Sequence, residues 1–192
     1  MDGHRENTVR GAGGGPVRLV PYAEGDLWLL RRHNSPEMTE YLGGPETEEQ
    51  LLARHRRYLG LAAGGMFRVV SVDGDETAGM IGFWEHAWRG GTVWETGWGI
   101  RPGFQGRGLA ARAALALADA ARATGRHRYL HAFPKVEHVA SNGVCRRAGF
   151  TLLGQVMFEY PKGNPITSND WRMDLATGPA DDLAAGRPRR GG

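Results

Sequence analysis

The segment Trp98-Gly99-Ile100-Arg101-Pro102-Gly103-Phe104-Gln105-Gly106-Arg107-Gly108-Leu109-Ala110 holds the residues best suited to chemistry. It reads as the end of a strand, a glycine-rich turn and the start of a helix. First-turn N–H groups of a helix have no intrahelical partner and carry the positive end of its dipole. Gly106 and Gly108 let the backbone approach an anion with no Cβ in the way. A pyrophosphate is the natural guest. The competing reading is a plain strand–turn–helix junction whose glycines only turn the chain. A P-loop is excluded, because no lysine follows the glycines. A βαβ dinucleotide fingerprint is excluded as well. Gly106-x-Gly108 is followed by Ala111 where a third glycine is needed, and three hairpin-linked strands precede it.

Aromatic residues form the second feature. Trp84, Trp88, Trp94, Trp98, Phe158, Tyr160 and Trp171 fall on or beside the central and C-terminal strands. At strand spacing such residues pack a core, or they line a pocket for an apolar or cationic guest. Glu85, Glu95, Glu159 and Asp170 would add negative charge there.

These residues need a scaffold, and hydrophobic periodicity supplies one. Residues 17–20 alternate as a first strand stopped by Pro21. Helices are expected over 23–33 and 46–61. Strands follow at 66–72, 78–86 and 93–100, with hairpin turns at Asp73-Gly74-Asp75 and Gly90-Gly91. A long Ala/Leu-rich helix covers 106–124 and ends at Gly125. A strand at 129–133, a helix at 139–148 capped by Gly149, and strands at 151–160 and 171–176 complete the body. The order β-α-α-β-β-β-α-β-α-β-β indicates an α+β fold with a mixed sheet, not a doubly wound one.

Composition bounds the rest. The chain has 192 residues, 41% hydrophobic and 23% charged, enough for one domain with a sizeable core. Residues 1–16 and 177–192 are polar and rich in Gly, Pro or Arg, and are expected to be a disordered lead and tail around a single domain at 17–176. No apolar run reaches the roughly 18 residues of a bilayer span, and no secretory h-region opens the chain. A single cysteine, Cys145, excludes an intramolecular disulfide and a Cys-rich zinc site. A cytoplasmic protein with no metal and no membrane partner is expected. The net charge of +3 gives no ground for a nucleic-acid partner.

Two segments together carry a family likeness. Gln105-x-x-Gly108-x-Ala110, preceded by Ile100-x-Pro102, resembles the acyl-CoA signature of the GNAT superfamily of N-acetyltransferases. The run from Ala140 to Phe150 resembles that family's second signature, a helix ending in Gly-Phe. One helix and one strand separate them, as in the family. The likeness is nearest the branch that acetylates ribosomal-protein N-termini, with its many bacterial relatives.

The resemblance implies a mostly antiparallel central sheet flanked by helices and splayed between its fourth and fifth strands. It implies acetyl-CoA as acyl donor. The pyrophosphate would lie on Gln105, Gly106, Arg107, Gly108, Leu109 and Ala110, and the pantetheine along Trp98, Gly99 and Ile100. An N–H near Gly99 or Ile100 would polarise the thioester carbonyl, placing Ile100 among the catalytic residues. Glu95, five residues earlier on the same strand, is the first candidate base, against an ion-paired strand carboxylate. His131 on the next strand is the second, against a packed core histidine. Glu85 and His86 lie near the same face. In the second signature His138 stands where many members have Asn, and Ser141 and Asn142 are close enough to substitute. Cys145 stands where many have a Tyr that protonates the leaving thiolate. Trp84, Glu85, Trp94, Phe158 and Tyr160 are the candidate acceptor pocket, with the loop 161–166 as a lid.

The expected activity is acetyl transfer to a primary amine in a ternary complex: a protein N-terminus, a small amine or an antibiotic. The alternative is a non-catalytic acyl-CoA-binding module on the same fold. Homodimerisation is left open.

Overall fold

A computed structural model describes residues 17–159, 163 and 165–176. The strands are β1 (Val17–Pro21), β2 (Gly64–Ser71), β3 (Glu76–Trp88), β4 (Gly91–Ile100), β5 (Tyr129–Ala132), β6 (Thr151–Glu159) and β7 (Pro165–Asp174). The helices are α1 (Leu27–Arg32), α2 (Pro36–Thr39), α3 (Glu48–Leu59), α4 (Leu109–Ala123) and α5 (Val139–Arg147).

The strands form one sheet in the order β1-β2-β3-β4-β5-β7-β6. Every pairing is antiparallel except β4 with β5, which are parallel over only two residue pairs, Trp94↔Leu130 and Glu95↔His131. β4 then runs on to Ile100 against β3 alone. β5 ends at Ala132, and Pro134 has no N–H with which to continue a ladder. The sheet therefore splays between its fourth and fifth strands, as the family likeness implies.

Each face of the sheet carries a core. Under α4, Leu19, Val69, Ile81, Trp94, Leu117 and Leu130 are fully buried. The alanines of α4 bring its backbone close: Ala113, Ala114 and Ala121 are also fully buried. The opposite face packs Leu29, Leu30, Leu51, Met66 and Met80 beneath α1 and α3. Burying one Leu or Met in this way contributes roughly 1.5–3 kcal/mol.

Several element boundaries differ from the sequence expectation. The first helix opens as a 3-10 turn at Glu24–Asp26, and α2 is an additional helix capped by Ser35, whose Oγ accepts from the Met38 N–H at 3.2 Å. Gly64 and Gly65 open β2, two residues ahead of the expected start at 66. β7 begins six residues before the expected 171, at a segment, Thr167-Ser168-Asn169-Asp170, too polar to read as a buried strand. Ser168, Asn169 and Asp170 are buried nevertheless, and the last two find side-chain partners across the fold. Asp170 is completely enclosed: Oδ1 accepts from His131 Nδ1 at 2.7 Å, Oδ2 from Trp88 Nε1 at 3.2 Å, and Arg89 lies 3.4 Å away.

Removing one member of a buried charged network leaves its partners uncompensated. Asp170→Ala is expected to cost about 3–5 kcal/mol of unfolding free energy in urea titration. Glu48→Ala, which breaks only the exposed pair with Arg31, is expected to leave the urea midpoint near wild type.

Candidate active site

The splay opens onto a cleft of about 840 Å³ that β4 crosses. The Arg101 N–H donates to Ala78 O on β3 at 2.8 Å. Backbone groups alternate in direction along a strand. Those of Ile100 and Trp98 therefore face the side that β5 has left. Gln105 folds back there, its Nε2 donating to Ile100 O at 2.9 Å.

Beyond β4 the chain makes a 3-10 turn at Pro102–Phe104 and enters α4 through Gly106 and Gly108, at φ of 75° and 74°. A Cβ on Gly106 would meet nothing within 4 Å, and on Gly108 only the Arg112 guanidinium at 3.7 Å, so backbone conformation selects these glycines. Gly108 is the N-cap of α4 and supplies no side chain to its first turn. In α3, by contrast, Thr47 Oγ1 accepts from the Gln50 N–H at 3.3 Å and Gln50 reaches back to the Thr47 N–H at 2.8 Å. The first-turn N–H groups of Leu109, Ala110 and Ala111 have no such cap. An open cradle with uncapped N–H groups at a 15-residue helix fits the pyrophosphate of acetyl-CoA.

Most of the residues singled out from sequence meet at this cleft. Glu95, Trp98, Gly99, Ile100, Gln105, Gly106, Gly108, Leu109, Ala110, His138, Ser141 and Trp84 all line it. Others do not. The Arg107 guanidinium donates to Gly103 O at 2.8 Å and faces a separate hollow beside Asp73 and Glu76. Asn142 is buried: its amide donates to Lys135 O and His138 O, both at 2.9 Å, and accepts from Asn169 and Trp171. His131 is buried against Asp170, away from the cleft lining. Glu85 sits outside, bound by His127 and Arg126. Trp94 is fully enclosed, edge-on to Phe83 and His127. Phe158 lies on β6, Tyr160 is outside the described residues, and of the expected lid Ile166 lines the cleft. Cys145 is fully buried, its thiol pushed up to about 12 by burial.

Glu95, Gly97 and Gly99 present one face of β4. Rings rest directly on the two glycines: a Cβ on Gly97 would stand 3.2 Å from the Trp84 indole, and on Gly99 2.8 Å from His33. His33 went unnoticed in the sequence, since a histidine at a helix end carries no pattern; only the glycine on a strand signals the close approach. Its Nδ1 donates to Leu29 O at 2.8 Å, while Nε2 is buried against the Gly99 backbone. Burial holds its pKa below the ordinary value. Tyr41 was also missed. It stacks on His138 at 4.2 Å and joins the two walls of the cleft.

Glu95 stands opposite Trp84 in the ladder, with Oε2 3.1 Å from His86 Nδ1. Burial pushes its carboxyl up to about 7, against the Trp84 indole, which favours the charged form. A carboxylate so placed is poised to take up a proton near neutrality. His131 and His86 are both held below the ordinary histidine value, chiefly by burial.

The Glu95 shift has a consequence for stability. The folded state holds this proton more tightly than the unfolded chain, so stability falls as pH rises from about 4.5 to about 7 and is level above that. The shift corresponds to on the order of 3 kcal/mol. Glu95→Gln is expected to raise the urea midpoint at pH 8 and to leave it nearly unchanged at pH 4.5. An equal effect at both pH values contradicts a burial-driven shift.

Comparison with known proteins agrees with this geometry. Residues 17–151 match the family model described as an acetyltransferase (GNAT) domain. An acetyltransferase from Agrobacterium tumefaciens shares 25% identity over 86% of this chain and 93% of its own, with a TM-score of 0.69. The Salmonella typhimurium enzyme that modifies the N-terminal serine of ribosomal protein L7/L12 shares 19% identity over 87% and 98%, at a TM-score of 0.69. Spermidine N-acetyltransferase from Vibrio cholerae, solved with CoA and spermine, shares 16% identity over 84% and 96%, at 0.68. No curated protein matches the chain. The family match over most of the folded body, on a splayed sheet with an uncapped glycine turn, identifies the chain as a member of the GNAT acetyltransferase family, whose acyl donor is acetyl-CoA.

Proposed function

We propose that this protein transfers the acetyl group of acetyl-CoA directly to a primary amine held in the same cleft. The observation that carries the proposal is the two-residue β4–β5 pairing. It leaves the Trp98–Ile100 backbone edge open beside the uncapped start of α4.

Acetyl-CoA supplies the activated thioester. The protein's part is positioning and proton handling. The Leu109, Ala110 and Ala111 N–H groups and the cradle of Gly106 and Gly108 hold the pyrophosphate. The open edge at Trp98 and Ile100 pairs with the extended pantetheine as a strand would. The Ile100 N–H donates to the thioester oxygen as negative charge develops on it. Glu95 deprotonates the amine, which Trp84 helps to orient. Glu95 fits that role better than His131, because it lines the cleft and titrates near 7 while His131 Nδ1 is committed to Asp170. One neighbour in fold modifies the N-terminal serine of a ribosomal protein and another was solved with CoA and spermine, so a protein N-terminus and a polyamine are the first substrates to try.

Isothermal titration with acetyl-CoA is expected to show micromolar binding that Gly108→Trp abolishes, because the indole fills the cradle at a backbone angle it cannot adopt. In thiol-release assays with spermine and an N-terminal serine peptide, Glu95→Gln is expected to lower kcat by about 10²-fold or more. Its acetyl-CoA affinity should stay unchanged. The inflection near pH 7 in the wild-type profile should disappear with it. Binding with no turnover on any amine favours the non-catalytic module.

A further inference from the structure

A primary amine arrives at neutral pH as an ammonium ion. Its acetylation follows R–NH3⁺ + acetyl-S-CoA → R–NH–acetyl + CoA-SH + H⁺. Two N–H bonds break and the leaving sulfur takes one proton, so each turnover leaves one proton behind. Glu95 can receive it but must lose it before the next cycle. The carboxyl is mostly buried, and on its cleft side stand the bound substrates. Its other neighbour leads outward. His86 lies two residues beyond Trp84 on the same face of β3, does not line the cleft, and is 28% exposed at the side chain. Its Nδ1 is 3.1 Å from Glu95 Oε2.

We infer that His86 is the exit relay for the proton that Glu95 removes from the amine. The Glu95 Oε2–H bond breaks as a His86 Nδ1–H bond forms. The imidazolium then turns toward solvent and loses that proton from Nδ1 to water. His86 touches no reacting atom, so it is a positioning and relay residue acting through Glu95. The inference rests on Glu95 being the base.

The surroundings suit a residue that passes a proton on. Burial, together with the nearby His131, lowers the proton affinity of His86, so it does not retain what it receives. The neighbouring His131 is engaged by Asp170, and Asp170 in turn by Trp88 and Arg89. Trp88 and Phe133 flank the ring at 5.8 and 5.7 Å and shape its path outward.

The test is buffer dependence of turnover. In dilute buffer, His86→Ala is expected to lower kcat at least 5-fold, with acetyl-CoA affinity and circular dichroism unchanged. Added imidazole should restore the rate in proportion to its concentration, with stronger buffer bases restoring more. Wild type should show no buffer dependence, and Glu95→Gln should not be rescued. His86→Gln, closer in size, provides the same comparison if the alanine variant is unstable. An unaltered kcat, or a loss that no buffer restores, overturns the relay while leaving Glu95 as base. Full activity of Glu95→Gln overturns both assignments. Absence of turnover with spermine and the serine peptide alike overturns the relay together with the function it rests on.

Discussion

Two strands that pair in parallel for only two residues set the conditions for the rest of the molecule. An unpaired strand edge within a protein leaves backbone donors and acceptors without partners, at about 1–3 kcal/mol for each that is buried. The divergence persists because the chain leaving β5 is captured elsewhere. Asn169 N–H donates to Pro134 O at 2.9 Å, Val136 N–H donates to Thr167 O at 3.2 Å, and Lys135 bridges Ser168. β7 thus draws this segment away from β4. The β4 edge faces an open cleft where a ligand or water can satisfy it, and Gln105 takes one of its carbonyls. The position of β7 and the existence of the site are one constraint.

That constraint explains why the polar residues Ser168, Asn169 and Asp170 of β7 are buried. Asp170 accepts from His131 and Trp88 with Arg89 close by, which ties β7 to β5 and to the tip of the β3–β4 hairpin. Asn169 donates to Asn142, whose own amide is held by the carbonyls of Lys135 and His138 at the start of α5. A network of this kind is stable only when nearly all its members are satisfied. Its yield is placement: the chain from Phe133 to His138, which forms one wall of the cleft, is fixed from behind. His131 and Asn142 serve this scaffold, while Glu95, one strand over, lines the cleft with its carboxyl beside His86.

Much of this was legible in the sequence. The glycine turn at Gly106 and Gly108, the apolar register of β4, the alanine-rich α4 and the Gly149 cap of α5 all follow from local rules, and the structure has them within a few residues of their expected bounds. What was not legible is non-local. Residues 165–170 look like a loop because their partners lie on other strands. Asn142 looks like a ligand contact because nothing nearby in sequence reveals that five groups claim its amide. His33 and Tyr41 carry no periodic signal and reach the cleft only through the path of the α1–α2 segment.

The glycines of β4 show how one strand reconciles competing demands. At Gly79 on β3, an added Cβ would meet Gly99 O at 2.1 Å, so the two strands are drawn close just where β4 loses its other neighbour. At Gly97 and Gly99 the absent side chains are replaced by the rings of Trp84 and His33. Strand glycines ordinarily weaken a sheet. Here they let the edges of two rigid rings approach the backbone beside the open edge, which braces the Gly99–Ile100 peptide from one face and leaves its N–H directed to the open side. An oxyanion donor gains from such pre-organisation, because a peptide already fixed spends nothing on reorienting when charge develops. Glu95, opposite Trp84 in the ladder, is desolvated by burial, and that desolvation is what raises its proton affinity to the neutral range. The glycines that would count against β4 as a strand are what would let it serve as the floor of the proposed acyl-transfer site.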